Sequence, residues 1–149
     1  NGGVMGASSR DLGAIDAGGF GRVGEVSVVA ATSCAEAFRG HVADSGRRII
    51  VGMGSILGSI GSNGDGRLYS YRASKAALHA VMRSLSIDLR DEGVIAIAMH
   101  PGWVRTDMGG PDAALAVTES AAGMMRVING LRPADSGRFL GYDGAELPW

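Results

Sequence analysis

The segment from Val94 to Met99, VIAIAM, constrains the fold most, because it is apolar at every position. An uninterrupted apolar run of this length is typical of a strand that is buried on both faces. Such strands belong to parallel sheets that carry helices on both sides. Pro101 and Gly102 follow closely, and proline cannot donate to a neighbouring strand. The run therefore predicts a buried parallel strand that ends before Pro101.

Helical and strand-like segments alternate on the amino-terminal side of this strand. Residues 1–19 predict a loop, and helical periodicity then extends from about Phe20 to Val42. A short apolar strand is expected from Arg47 to Met53, followed by a loop over the glycine- and serine-rich residues 54–67. A long helix is expected from about Tyr69 to Arg90, with an apolar face formed by Ala77, Leu78, Val81, Leu85 and Leu89.

The carboxy-terminal side continues the alternation. A loop to about Ala116 leads to a predicted helix over residues 118–130, with Thr118 as its N-cap. A terminal strand is expected from Gly137 to Gly144. Helix, strand, helix, strand, helix, strand is the order of an α/β layer with a parallel sheet. We therefore predict one domain over residues 1–149.

Tyr71 and Lys75 lie four residues apart at the start of the long helix, so they share one helix face. A free tyrosine has a pKa of about 10, which is too high for easy proton exchange at neutral pH. A nearby ammonium group favours the phenolate and should lower that pKa. Lys75 is also the one lysine among 14 basic residues. The pair predicts a general acid/base, although this spacing also occurs by chance in many helices.

Other residues compete for this role or would complete it. Tyr69 lies six positions from Lys75 and should point to a different helix face. Ser55 follows the first predicted strand, and serine at a strand exit can donate a hydrogen bond to an oxygen that gains charge. Ser59 and Ser62 are alternatives deeper in the same loop, and any of the three could simply solvate a turn. The loop after the second strand should reach the same sheet edge.

The combination of these motifs resembles the short-chain dehydrogenase/reductase family. The shared features are a serine at a strand exit, Y-x-x-x-K on the next helix, and P-G-x-V-x-T after the following strand. The stretches MGSILGSI, YSYRASKAALHAVMRSLSIDL, HPGWVRTDMGG and GYDGAELPW are similar to C-factor and sniffer-type carbonyl reductases. The first residues, NGGV, resemble the family's NNAGV at the end of its fourth strand. This implies the carboxy-terminal part of a doubly wound, Rossmann-like sheet that lacks the first three strands.

The resemblance also implies roles for individual residues. Tyr71 would be the catalytic acid/base, Lys75 would lower its pKa and hold the nicotinamide ribose, and Ser55 would polarise the carbonyl group. The resemblance further implies cofactor contacts from Asn1, Tyr71, Lys75, Pro101, Gly102, Val104 and Thr106. The implied reaction is hydride transfer between NAD(P)H and a carbonyl or alcohol. NADP is favoured over NAD by the resemblance alone.

Two departures from the family pattern stand out. The family's T-G-x-x-x-G-x-G fingerprint precedes its NNAG strand, and the sequence given begins at that strand. Residues 19–24 spell G-x-G-x-x-G, but no convincing strand precedes them, so glycines at a helix start are the preferred interpretation. Ser27 stands where many members have an asparagine that binds a water in the proton relay. Gly54, where the family has serine, is a milder change.

Composition limits the partners. The net charge is −1, so neither nucleic acid nor an acidic membrane surface is an expected partner. No apolar run has the length of a membrane span, and the single cysteine, Cys34, excludes an internal disulfide. We expect that Cys34 is buried, that there is no metal site and that the protein is cytoplasmic.

The helices 20–42 and 69–90 resemble those that pair subunits in the family, so a homo-oligomer is expected. The alternative to a reductase is a non-catalytic oligomerisation or binding module.

Overall fold

The sheet is the centre of the structure, a computed structural model that describes residues 3–6 and 11–149. Its strands in this part of the chain are β1 (Ile49–Met53), β2 (Ile95–His100) and β3 (Phe139–Gly141). All pairs are parallel, and the order is β1-β2-β3. Ile49 pairs with Ile95 and Met53 with Met99, so β1 and β2 end at the same edge. The predicted α/β fold with a parallel sheet is confirmed.

Helices separate the strands. Before β1 the chain is helical from α1 (Ala17–Gly24) through a π-helical turn (Glu25–Val29) into α2 (Ala30–Asp44). Between β1 and β2 lies α3 (Tyr69–Asp88), and between β2 and β3 lies α4 (Val117–Gly130). Short 3-10 turns at Ile56–Gly58, Arg90–Glu92 and Pro133–Asp135 occupy three of the connections. Each strand therefore follows a helix, as the sequence predicts.

Strand β2 is buried on both faces, as its composition requires. Ala96 and Ala98 pack with Leu78 and Met82 of α3 and with Phe139 of β3. On the opposite face the core consists of Ile95, Ile97, Met99 and Leu140, against which Met124, Val127, Ile128 and Leu131 pack from α4 and the residue after it. Helices thus cover both faces of the sheet, which is the doubly wound arrangement. The small side chains on one face allow α3 to approach the sheet closely.

Several predicted boundaries are wrong by a few residues. The first helix begins at Ala17, not Phe20, because the Asp16 carboxylate accepts hydrogen bonds from the Gly18 and Gly19 amides. Thr118 is not an N-cap: α4 begins at Val117 after Ala116, whose amide donates to the Glu119 carboxylate. The last strand is three residues long, not eight, because the chain turns after Gly141.

Two burial predictions are also wrong. Cys34 is exposed, since it lies on a face of α2 that nothing in the described chain covers. On α3, Ala77 is exposed and Val81 and Leu85 are only partly buried. The face of α3 that points into the protein carries Tyr71, Ser74, Lys75, Leu78, His79, Met82 and Ser86. Tyr71 and Lys75 on this face line the candidate site described below, whereas the Ser74 and Ser86 hydroxyls donate to backbone carbonyls of α3.

Gly58 sets how closely the loop after β1 approaches α3. A Cβ at this position would lie 2.7 Å from the Cβ of Lys75 and 2.8 Å from its backbone carbonyl carbon. Backbone atoms of a helix cannot move aside as a flexible side chain does. The glycine therefore lets the loop pack directly on the turn of α3 that carries Lys75.

Substitution Gly58→Ala should lower the free energy of unfolding by about 1–3 kcal/mol, because the added methyl overpacks this contact. Gly64→Ala is the matched control, since nothing lies within 4 Å of a Cβ there. The control should change stability by no more than about 0.5 kcal/mol. Urea unfolding of both variants measures the difference, and equal effects would contradict the close-contact argument.

Candidate active site

A cavity of about 760 Å³ lies at the carboxyl ends of β1 and β2. Its lining is mainly apolar and includes four methionines, Met5, Met53, Met108 and Met124. The polar side chains in its wall are those of Ser55, Tyr71, Lys75, His100, Thr106 and Ser120. Residues from both strand exits, from α3 and from α4 thus meet at one edge of the sheet, where α/β proteins bind ligands.

Ser55, Tyr71 and Lys75 lie together in the wall of this cavity. The Ser55 hydroxyl accepts from the Leu57 amide at 3.2 Å and lies close enough to the Tyr71 phenol to influence its pKa. The Lys75 ammonium donates to the Met53 carbonyl at 2.8 Å and lies 5.7 Å from the centroid of the Tyr71 ring. All three residues are at most 8% exposed. The sequence predicted this grouping from the four-residue spacing of Tyr71 and Lys75, the strand-exit position of Ser55 and the family resemblance.

The pKa values differ from the prediction. Burial raises the pKa of Tyr71 above its ordinary value, and the hydrogen bond from Ser55 offsets part of this rise. The predicted lowering of this pKa by Lys75 is wrong for this structure, because the ammonium lies over the ring and bonds to a backbone carbonyl. Burial lowers the pKa of Lys75 itself, since the charged form is poorly solvated. Tyr71 is therefore a neutral phenol at neutral pH.

The loop after β2 is held in place by its own hydrogen bonds. Gly102 has a φ of +84°, and a Cβ there would meet Leu115 and Tyr142. Val104 pairs with Leu115 in an isolated bridge, and the Ser120 hydroxyl donates to the Pro101 carbonyl at 2.6 Å. Pro101, Gly102, Val104 and Thr106 all line the cavity beside Tyr71 and Lys75. The predicted contact residues of this loop thus share one site; Asn1 lies outside the described residues.

The competing residues lie elsewhere. Tyr69 is exposed at the first position of α3 and is absent from the cavity wall. Ser59 is buried away from the cavity, where its hydroxyl donates to the Trp149 carbonyl, and Ser62 is exposed. The glycines of residues 19–24 lie within α1, not after a strand, as the preferred interpretation held. Ser55 is therefore the serine that reaches the candidate site.

Two histidines to which the sequence analysis gave no role lie in or next to the site. His100, at the end of β2, lines the cavity, and burial lowers its pKa. His79 is 3% exposed and accepts the Ser55 amide at Nε2, at 3.3 Å. Burial, with smaller effects of Lys75 and His100, lowers the pKa of His79 to about 4. The sequence could have predicted that His79 lies near the site, because it is one helical turn beyond Lys75 on the same face of α3.

Ser27, at the position where the family resemblance implies an asparagine, lies in the π-helical turn before α2. It is buried, and its hydroxyl has no hydrogen-bond partner among residues 3–6 and 11–149. Every helix within the same residues is too short or too polar to span a membrane. No group of three or more potential metal-binding side chains occurs there.

The fold and the site define a Rossmann-like α/β protein with a serine, a tyrosine and a lysine at the sheet edge. Residues 1–143 match a family model described as enoyl-(acyl carrier protein) reductase, and the chain belongs to the short-chain dehydrogenase/reductase family. It is 57% identical over 95 residues to the C-signal protein of Myxococcus xanthus, a match that covers 64% of this chain and 57% of that protein.

Solved structures show the same likeness. The carbonyl reductase Sniffer of Drosophila melanogaster superposes with a TM-score of 0.96 and 35% identity. An NADPH-bound carbonyl reductase from chicken fatty liver superposes with a TM-score of 0.91 and 31% identity. Both alignments cover all of this chain and 64% of the other chain. The sequence given thus spans between about half and two thirds of the length of these relatives.

The hydroxyl of Ser55 should keep the pKa of Tyr71 below the value that burial alone would give. In the Ser55→Ala variant this pKa should rise further, because the hydrogen bond that opposes the effect of burial is lost. NMR of 13C-tyrosine-labelled protein would follow the three Cζ signals against pH, with Tyr71→Phe for assignment. An unchanged Tyr71 titration in Ser55→Ala would contradict the hydrogen bond.

The lowered pKa of His79 predicts acid sensitivity. The unfolded chain takes up a proton near pH 6.5 and the folded chain only near 4, so this contribution to stability is lost as pH falls between these values. It amounts to about 3 kcal/mol at most, at 1.36 kcal/mol per pH unit. His79→Gln should show a smaller loss of unfolding free energy from pH 6.5 to 4. The exposed His41→Gln control should retain the loss of the unsubstituted protein.

Proposed function

We propose that this chain carries the catalytic half of an NAD(P)H-dependent carbonyl reductase in which Ser55, Tyr71 and Lys75 act together. The observation that carries this proposal is that Ser55, Tyr71 and Lys75 lie together in the wall of one cavity. Two neighbouring hydroxyl groups can both turn toward one ligand oxygen. A carbonyl oxygen that gains negative charge needs such donors.

The protonation state of Tyr71 favours the reducing direction. Because its raised pKa keeps the phenol neutral, Tyr71 can donate its proton to the carbonyl oxygen as that oxygen becomes an alkoxide. Ser55 donates a second hydrogen bond to the same oxygen. The ammonium of Lys75 lies 5.7 Å from the ring centroid and donates to the Met53 carbonyl, so it supplies the positive charge at this end of the cavity. The described wall of the cavity contains no carboxylate that would oppose this charge.

The residues of the cavity suit the nicotinamide end of the cofactor. The loop from Pro101 to Thr106 forms one wall, Lys75 contributes an ammonium, and the adjoining lining is apolar. When bound, the cofactor would supply the hydride, and the protein supplies orientation and electrostatics. The name of the chicken relative states that it binds NADPH, which supports NADP as the preferred form. Asn1 remains a proposed cofactor contact because the family resemblance implies it.

The substrate is proposed to be an apolar carbonyl compound. The lining outside the polar cluster consists of side chains such as Ile56, Leu57, Trp103, Val117 and the four methionines. No carboxylate lines it in the described part, and its cationic group, Lys75, lies at the reacting end. An uncharged aldehyde or ketone with an aliphatic or aromatic substituent fits this lining better than a sugar or an amino acid. The expected homo-oligomer and cytoplasmic location also remain proposals.

Tyr71→Phe should abolish reduction of such an aldehyde by NADPH, with a fall of about 100-fold or more in kcat, because the proton donor is removed. Tyr69→Phe is the matched control and should retain kcat, since Tyr69 lies off the cavity. NADPH oxidation measures both. NADPH should still raise the melting temperature of Tyr71→Phe. Full activity in that variant would exclude the mechanism, and no stabilisation of either variant would favour the non-catalytic binding module.

A further inference from the structure

His79 and Gly54 form a close pair next to Ser55: Gly54 lines the cavity, whereas His79 lies behind the cavity wall. The imidazole lies one turn beyond Lys75 on α3 and is packed against the rings of Phe139, at 4.2 Å between centroids, and Trp149, at 5.7 Å. Its Nε2 accepts the backbone N–H of Ser55. Neither His79 nor Gly54 is used in the reaction proposed above, so their close fit needs a separate explanation.

Gly54 is required by the space that His79 occupies. A Cβ at position 54 would lie 2.5 Å from Nε2 and 3.0 Å from Cδ2 of His79, whereas the next nearest atom, Cε2 of Phe139, would be 3.3 Å away. The φ of Gly54 is not in the left-handed region, so its backbone does not itself demand glycine. The imidazole is enclosed by Phe139 and Trp149 and cannot swing aside easily. The glycine is therefore what allows His79 to reach Ser55.

The hydrogen bond fixes the state of the ring. Only an unprotonated Nε2 can accept the Ser55 N–H, so the imidazole is neutral with its proton on Nδ1. Nδ1 itself has no hydrogen-bond partner in the described part of the chain. The titratable groups that face the ring, Lys75 and His100, both disfavour a positive charge on it. The bond to Ser55 is therefore kept throughout the neutral pH range.

We propose that His79 is a positioning residue that holds the main chain of Ser55, and that Gly54 is its obligatory partner. Ser55 is then held at two points, its amide by His79 and its hydroxyl by the Leu57 amide, beside the Tyr71 phenol. Displacing a reacting group by about 1 Å can reduce a rate about 100-fold. The kinetic consequence rests on the proposed function, whereas the geometry of Ser55 and Tyr71 can be tested without it.

A double-mutant cycle on the catalytically active protein tests the pair. Gly54→Ala and His79→Ala should each reduce kcat by about 10- to 100-fold, because each releases the Ser55 amide. In the His79→Ala background, Gly54→Ala should change kcat by less than about 3-fold, since the clash no longer exists. His79→Gln should recover most of the activity, because its side-chain carbonyl can accept the same N–H. Independent, multiplicative effects of the two substitutions would overturn the proposal.

Two further measurements separate positioning from loss of folding and from absence of activity. Met82→Ala, on the same buried face one turn beyond His79, should lower stability but leave kcat per folded molecule unchanged. In His79→Ala, the 13C-tyrosine titration should show the Tyr71 pKa rising as it does in Ser55→Ala, because the hydroxyl is displaced. This readout needs no turnover, so it remains informative if the protein proves not to be a reductase. An unchanged Tyr71 titration would overturn the proposal.

Discussion

The parallel register between β1 and β2 is the constraint on which the candidate site depends. Because Met53 pairs with Met99, the chain leaves both strands at the same edge of the sheet. The loop with Ser55 and the loop with Pro101 therefore open onto one cavity. The helix that connects the two strands, α3, must then cross the sheet and begin near this edge. Tyr71 and Lys75 lie in its first two turns, so this crossing brings them near Ser55.

Burial of β2 on both faces is what holds this arrangement together. On one face of β2 the small side chains of Ala96 and Ala98 pack against α3. On the other face, larger side chains pack against α4: Ile95, Ile97 and Met99. The asymmetry lets α3 lie close to the sheet, where Gly52 and Gly58 also leave room for Met82 and Lys75. Tyr71 and Lys75 of the candidate site thus lie on a helix and not on a loop, which suits groups that must hold their relative positions.

The sequence was sufficient for the fold and for most of the candidate site, for identifiable physical reasons. Strand β2 is apolar without interruption, and Tyr71, Lys75 and Ser55 follow a spacing that depends on helix and strand geometry. The predicted starts of α1 and α4 were wrong because a local hydrogen bond sets each of them, at Asp16 and at Glu119. The apolar periodicity of α3 predicted the wrong buried face, because the face that is buried carries polar residues of the site. His79 was missed because a histidine that accepts a backbone N–H leaves no motif, only a position one turn beyond Lys75.

The contact between position 54 and position 79 has a consequence for how such a protein can change over time. If Gly54 is replaced by a residue with a side chain while His79 is present, the new side chain clashes with the imidazole. If His79 is replaced while position 54 is still glycine, the Ser55 amide loses its hydrogen-bond acceptor. Either single replacement passes through an impaired intermediate, although the pair could be exchanged together. Proteins of this fold that carry serine at 54 should therefore have a different residue at 79. We therefore expect the two positions to change together.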